Sequence, residues 1–136
     1  MTPFEILEHT ADVGVRATAG TLEGVFAEAT RGLVEIAGIA GAEGGERVEL
    51  ELEGEDPAGL LVDWLSEVLW LHDSRDAFVG GVEVDEVSSR RVRGSVILAP
   101  RGERAARGTQ VKAVTYHRLH VGREDGGWRA EVYLDV

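Results

Sequence analysis

The segment DPAGLLVDWLSEVLWL, which runs from Asp56 to Leu71, predicts a helix with one broad apolar face. Asp56 is a favoured N-cap residue, and Pro57 suits the first helical position, where a missing N–H costs nothing. Asp63 and Glu67 fall outside the apolar face. The residues of that face recur at helical spacing: Leu60, Leu61, Trp64, Leu65, Val68, Leu69 and Leu71. Such a helix needs a second layer to cover it.

That second layer is predicted to be a sheet. Segments that alternate polar and apolar residues are typical of strands, and Gly, Ser, Pro and Asp in the connections are typical of turns. The segments are residues 4–8, 13–19, 47–53, 79–87, 91–98, 111–121 and 128–134. A further amphipathic helix, capped by Thr21, ends near Gly38. The pattern predicts an α+β fold, a mixed, largely antiparallel β-sheet with two helices packed on one face.

Length and composition narrow the class of protein. A chain of 136 residues predicts a single domain, residues 1–136. The absence of Cys excludes disulfides, thiolate metal sites and cysteine nucleophiles. No apolar run approaches the roughly 20 residues that span a bilayer, and no signal-peptide pattern is present. We expect a soluble cytoplasmic protein without a membrane partner, and its oligomeric state, a homo-oligomer included, stays open.

Charge is distributed unevenly along the chain. The net charge is −11, with four Arg against twenty acidic residues in residues 1–89 and ten basic against five acidic residues in residues 90–136. Nucleic-acid binding is driven largely by Lys and Arg that replace counterions on the phosphate backbone. We therefore expect no direct, high-affinity binding of RNA or DNA. The acidic run over residues 43–56 is interpreted as a solvated strand face, with a docking surface for a basic partner as the alternative.

Three polar residues are candidates for chemistry. Lys112 is the only lysine among fourteen basic residues, and a compact ammonium differs chemically from the planar guanidinium of Arg. A remnant of the compositional bias toward Arg is the simpler interpretation. Asp12 and Asp135 could converge on a hard cation such as Ca²⁺ or Mg²⁺ if the first and last strands pair. The residues alone favour a local turn or cap for Asp12 and a solvated chain end for Asp135.

Motifs for self-contained catalysis are absent. The sequence has no Walker A loop, no Gly-x-Gly-x-x-Gly between a strand and a helix, no nucleophile elbow and no His-Glu-x-x-His pair. A hydrolase or a zinc enzyme therefore has little support.

Four blocks of sequence together resemble the archease family. They are His9-Thr10-Ala11-Asp12-Val13-Gly14, the helix from Asp56 to Leu69, the segment from Val111 to His117 and the closing Asp135-Val136. The resemblance implies an accessory protein, not an enzyme, that activates an RtcB-type RNA ligase in tRNA splicing and RNA repair. Such a protein promotes formation of the ligase–guanylate intermediate and restores the ligase for further turnovers, in the presence of GTP and divalent metal.

Carried over by motif position, the resemblance also implies site residues. Asp12, Asp135 and Val136 would bind a divalent cation, Ca²⁺ in the first place with Mg²⁺ or Mn²⁺ as alternatives, and Lys112 would be needed for activation. Val136 would contribute a main-chain or terminal oxygen. The family commonly closes on Asp-Ile, so the Val136 side chain departs from the pattern by one methylene, which should matter little for a contact through oxygen.

A second function is compatible with the same resemblance. It is a general chaperone or modulator of RNA-modifying enzymes such as methyltransferases, and it predicts an exposed apolar patch. The sequence does not predict such a patch, because Trp70 is expected at the edge of the core and Tyr116 is expected to pack within a strand.

Overall fold

The structure is a computed structural model. The part of the chain that it describes contains seven strands and two helices. That part comprises residues 3–9 and 12–136, without the side chains of Glu8 and His9. The elements are β1 (Phe4–His9), β2 (Asp12–Ala19), α1 (Leu22–Ala37), β3 (Glu46–Glu53), α2 (Pro57–Arg75), β4 (Ala77–Val87), β5 (Arg91–Pro100), β6 (Ala113–Glu124) and β7 (Gly127–Asp135). The predicted strands are confirmed, with ends that differ by at most three residues.

Both helices begin at the predicted caps. The Thr21 side chain accepts a hydrogen bond from the Gly24 N–H at 3.0 Å, and the Asp56 side chain accepts one from the Gly59 N–H at 2.7 Å. Each bond satisfies a backbone donor that the first helical turn leaves free. At the other end of α1, Gly38 adopts a left-handed conformation with φ of 65°, which is the usual way to end a helix.

The strands divide between two sheets, in the orders β1-β2-β7-β6 and β3-β5-β4. Every strand pair is antiparallel, and among the described residues parallel pairing is limited to one bridge, Ala40 with Val79. The α+β class is confirmed, whereas the single sheet is corrected. Because β7 lies between β2 and β6, these strands complete a sheet of their own and leave β3, β4 and β5 to pair together. Each helix contacts strands of both sheets.

The predicted apolar face of α2 is confirmed, whereas the predicted position of Trp70 at the edge of the core is wrong. All seven predicted residues of that face are buried, and the fully buried Trp64 donates its indole N–H to Thr30 Oγ1 at 2.9 Å. Trp70, in contrast, is 58% exposed. It follows the exposed Asp63 by seven residues, which is two helical turns, so both side chains lie on the solvent side. Among the described residues, no helix combines the length and the apolar character that crossing a bilayer would require.

Candidate functional site

Asp12 and Asp135 lie directly opposite each other on neighbouring strands. Asp12 is the first residue of β2 and Asp135 the last of β7, and the antiparallel register pairs their Cα atoms. Residues paired in this way project from the same face of the sheet, with Cβ atoms about 4.5–5.5 Å apart. The structure thus brings the two predicted carboxylates together. The expected pairing of the first and last strands is not observed. The last strand, β7, pairs with β2, and β1 lies at the edge of the sheet.

The two carboxylates project from the face of the sheet that points away from the helices. Val15 and Ala17 are buried in the core, and a Cβ added to Gly32 of α1 would lie 2.6 Å from the Val15 side chain. Residues with odd numbers on β2 therefore face α1. Since side chains alternate along a strand, Asp12 lies on the opposite face. We call this face, on which Asp12, Arg16, Glu131 and Asp135 lie, the outer face.

Arg16, on the outer face, is engaged by other carboxylates. Its Nε and Nη2 donate to Glu131 Oε1 at 3.1 and 2.9 Å, and its Nη1 donates to Glu5 Oε2 at 3.0 Å. The hydrogen bond to Glu131 is the main cause that raises the pKa of Arg16 above its ordinary value. Among the described side chains, neither Asp12 nor Asp135 has an ion-pair partner. Two like charges directly opposite each other on a sheet are destabilising unless a cation offsets them.

Lys112 is fixed to this site through its backbone. Its N–H donates to the main-chain oxygen of Asp135 at 2.8 Å, and its side chain is exposed. The sequence predicts a strand from residue 111, but β6 begins at Ala113, which pairs with Asp135. Lys112 therefore belongs to the connection before the strand, in which the Thr109 N–H bonds to the end of α1 and not to a neighbouring strand. Among the described side chains its ammonium has no carboxylate partner.

A bulge in β6 brings His117 against Tyr133 of β7, two residues before Asp135. The register steps from Thr115–Tyr133 to His120–Glu131, which leaves residues 116–119 unpaired, and Arg118 within them has a φ of 53°. The ring of His117 meets the ring of Tyr133 edge-on, with centroids 6.1 Å apart. Tyr133 is buried, with 6% exposed. The expectation that Tyr116 packs within a strand is wrong, because the bulge turns it outward and leaves it 65% exposed.

Tyr133 is the site neighbour that the sequence interpretation missed. Its ring lies over Gly14, where an added Cβ would be only 2.8 Å from Tyr133 Cε2. Gly14 pairs with Tyr133 in the register, two residues along each strand from Asp12 and Asp135. A glycine inside a strand often marks the close approach of another group. Gly14 therefore carried the signal for this contact, although nothing in the sequence identified Tyr133 as the partner.

The oxygen donors at this end of the sheet suit a hard cation. Asp12 and Asp135 supply two carboxylates, and Val136 follows with a main-chain oxygen. Carboxylate and carbonyl oxygens are the ligands that Ca²⁺ and Mg²⁺ prefer. No cluster of three or more His, Asp or Glu side chains placed to hold a metal ion occurs in the described part of the chain. The candidate donor set therefore combines two side chains with the main chain.

Comparison with known proteins places the chain in a family. The model of the archease protein family matches residues 4–136. The chain belongs to the archease family. An archease of Methanopyrus kandleri is 40% identical over 139 residues, which cover 98% of this chain and 99% of that protein. An archease of Pyrococcus furiosus is 32% identical and is matched over the full length of both chains.

Solved structures of related proteins have the same fold. The solution structure of a Methanobacterium thermoautotrophicum protein matches all of both chains, with a TM-score of 0.81 and 33% identity. The crystal structure of a Thermotoga maritima protein, described as an archease and a possible chaperone, covers 96% of this chain and 94% of its own, with a TM-score of 0.67 and 25% identity.

The four archease-like blocks occupy distinct places in this structure. Asp12, Lys112 and Asp135 bring the first, third and fourth blocks to one end of the four-stranded sheet. The second block forms most of α2 and supplies core residues rather than a site. Within the first block, Thr10, Ala11 and the His9 side chain lie outside the described residues.

Proposed function

We propose that this protein is an accessory activator of an RtcB-type RNA ligase, acting in the cytoplasm in tRNA splicing and RNA repair. In this proposal it performs no catalysis of its own and promotes guanylylation and multiple turnover of the ligase. The observation that carries the proposal is the meeting of Asp12, Asp135 and Lys112. These residues lie far apart in the sequence, yet a strand register and a backbone hydrogen bond hold them together.

Each residue has a distinct role in the proposed site. Asp12 and Asp135 would hold a divalent cation together with the main-chain oxygen of Val136, with Ca²⁺ in the first place and Mg²⁺ or Mn²⁺ as alternatives. When bound, such a cation supplies positive charge that offsets the charge of a transferring phosphoryl group. The Lys112 ammonium, which has no carboxylate partner among the described side chains, is available to donate to a phosphate oxygen. The carboxylate pair, through the cation, and the ammonium would thus act on the same phosphate from neighbouring strand ends.

The charge of the protein supports a protein partner more than a nucleic-acid partner. The net charge of −11 opposes the approach of a phosphate backbone. An RNA ligase must carry a positive groove for its substrate, and complementary charge speeds association with such a surface. In this proposal the ligase binds the RNA, and this protein acts on guanylylation of the ligase.

The test is guanylylation of a purified RtcB-type ligase with folded Asp12→Ala, Asp135→Ala and Lys112→Ala variants. Asp63→Ala serves as the matched control, because Asp63 is an exposed carboxylate on α2, which contributes no residue to the proposed site. We expect the three site variants to lose activation and the control to keep it. Multiple-turnover ligation at a sub-stoichiometric amount of the protein gives the second readout. Full activation by all three site variants would remove the proposal.

A second candidate function is a general chaperone or modulator of RNA-modifying enzymes such as methyltransferases. Two aromatic side chains support it, because Trp70 is 58% and Tyr116 is 65% exposed. Single exposed apolar residues are nevertheless common on soluble proteins. Suppression of aggregation of an unrelated client, compared between the wild type and the Trp70→Ala and Tyr116→Ala variants, separates this function from ligase activation.

A further inference from the structure

The segment Arg107–Lys112, which we call the strap, joins the end of α1 to the candidate site. We infer that the contact between Gly108 and the end of α1 positions Lys112, so that Gly108 is a positioning residue for activation. This inference rests on the proposed function. It adds a residue that contributes no side chain to the site and that the carried-over motif residues do not include.

The first end of the strap bonds to the last turn of α1. The Arg107 N–H donates to the Gly38 oxygen at 3.1 Å, and the Thr109 N–H donates to the Ile36 oxygen at 2.8 Å. The last carbonyl groups of a helix have no partner within the helix. The strap thus satisfies two acceptors at the end of α1, and this requirement fixes its position.

Between these two bonds the chains are too close for a side chain on Gly108. An added Cβ would lie 2.1 Å from the Ile36 oxygen and 2.5 Å from both the Ala37 carbonyl carbon and the Gly38 nitrogen. All three are backbone atoms, which cannot turn aside as the end of a flexible side chain can. The φ of Gly108 lies outside the left-handed region. Alanine at this position is therefore opposed by the contact and not by its own backbone conformation.

The second end of the strap bonds to the site. Val111 is buried, with 5% exposed, and the Lys112 N–H donates to the Asp135 oxygen. The three residues that follow Thr109 span at most about 11 Å even when extended. A strap held at both ends over so short a length has little slack. A shift at Gly108 must therefore move Lys112 or break its bond to Asp135.

The size of the effect follows from the size of the shift. Ordinary van der Waals contact begins at 3.4 Å, so a strap that carries Ala at position 108 must move about 1.3 Å away from the Ile36 oxygen. A misplacement of about 1 Å at a reacting centre can cost up to about 100-fold in rate. We expect Gly108→Ala to lower the maximal rate of activated guanylylation at least about tenfold. The concentration of this protein that gives half of that rate should change less than about twofold, because the strap is not required for docking in this inference.

The experiment compares Gly108→Ala with Gly20→Ala, since nothing lies within 4 Å of a Cβ added to Gly20. Amide hydrogen exchange of Thr109 and Lys112, measured by NMR on the protein alone, reports the strap without any ligase. We expect faster exchange at both amides in Gly108→Ala and unchanged exchange at the Val15 and Val132 amides in the sheet. In Gly20→Ala we expect all four amides to exchange as in the wild type. A folded Gly108→Ala protein with wild-type exchange, or with the wild-type maximal rate, overturns it.

Val111→Ala keeps the inference testable if Gly108→Ala does not fold. This substitution removes the buried anchor of the strap and leaves the glycine contact intact. Faster exchange of the Lys112 amide together with a lower maximal rate supports the inference, whereas faster exchange with a wild-type rate overturns it. The Lys112→Ala variant separates the two proposals. If Lys112→Ala activates fully, the role of Lys112 in the proposed function fails, while the exchange data still decide whether the strap holds Lys112.

Discussion

The backbone N–H of Lys112 donates to the main-chain oxygen of Asp135, with 2.8 Å between nitrogen and oxygen. The only lysine of the chain is thereby held beside a carboxylate that lies opposite Asp12 in the strand register. This bond uses no side-chain atom of either residue. A substitution at position 112 therefore removes the ammonium without removing the link between the strap and β7, provided that the new residue keeps its N–H.

Lys112→Ala should separate activation from cation binding. We expect activated guanylylation to fall by about 100-fold, the usual cost of one lost donor to a developing charge. The affinity for Ca²⁺, measured by calorimetry, should stay the same or rise about twofold because a nearby positive charge is removed. Lys112→Arg, which keeps the charge but changes its shape, should recover part of the activation. Equal losses of activation and of Ca²⁺ affinity in Lys112→Ala would contradict these separate roles.

Asp135→Asn should change how the stability of the protein depends on divalent cations. A cation at 100 times its dissociation constant raises the free energy of unfolding of the wild type by about 2.7 kcal/mol. We expect this increment to disappear in Asp135→Asn and in Asp12→Asn, and to persist in the exposed control Asp63→Asn. Without cation, the free energy of unfolding of each site variant should match that of the wild type or be higher by less than about 1 kcal/mol. The reason is that the substitution removes the repulsion between two like charges. Denaturant melts with and without Ca²⁺ provide the measurement, and an increment that survives in both site variants would rule out this binding site.

The helices and the strand positions were predictable because their signals are local. Thr21 and Asp56 act as caps within their own first turns, and the period of the apolar residues fixes which side of α2 is buried. Trp70 shows the limit of that reasoning. An aromatic residue is expected near the core, but its position two turns after Asp63 places it on the solvent side.

The pairing of the strands was not predictable from local signals. Alternation shows that Val13 and Leu134 lie on strands, but it does not show that these strands are neighbours. The division into two sheets depends on the placement of β7 between β2 and β6, which is set by packing across the whole chain. The bulge at residues 116–119 likewise has no local signal, since Arg118 is not a residue type that favours a positive φ. The sequence therefore predicts that Asp12 and Asp135 converge only if their strands pair, and it does not predict which strands pair.

Thr30→Val should destabilise the core through one unsatisfied donor. Thr30 Oγ1 accepts the Trp64 indole N–H at 2.9 Å and donates to the Phe26 oxygen at 2.7 Å, and both side chains are fully buried. Valine keeps the shape but leaves the indole N–H without an acceptor, which should cost about 1–3 kcal/mol. Denaturant unfolding followed by tryptophan fluorescence measures the loss. Thr30→Ser, which keeps the hydroxyl, is the control, and equal losses in the two variants would contradict the role of the hydrogen bond.

Glu86 should stabilise the protein above the ordinary pKa of glutamate and lose this contribution in acid. Arg91 Nη2 donates to Glu86 Oε1 at 2.8 Å, and this hydrogen bond lowers the pKa of Glu86 below its ordinary value. A carboxyl group with a lowered pKa in the folded state stabilises the protein above the pKa of the unfolded state, and the contribution is lost as pH falls through the folded-state pKa. Glu86→Gln should therefore lose less stability than the wild type when the pH falls below about 4.3, the ordinary range of glutamate. Urea melts at neutral and acidic pH, with the exposed Glu55→Gln as control, provide the comparison, and identical acid losses in Glu86→Gln and wild type would refute it.

Gly14→Ala should test whether Tyr133 closes the outer face beside the carboxylate pair. The added methyl group would lie 2.8 Å from Tyr133 Cε2 and 3.1 Å from the Leu7 Cβ, so the ring must move. Overpacking of this kind costs about 1–3 kcal/mol of unfolding free energy. Gly20→Ala, which meets no neighbour, should change stability by less than about 0.5 kcal/mol. The double variant Gly14→Ala/Tyr133→Leu should recover part of the loss because the smaller side chain vacates the contact, and a double variant whose loss equals the sum of the two single losses would show that the two residues do not interact.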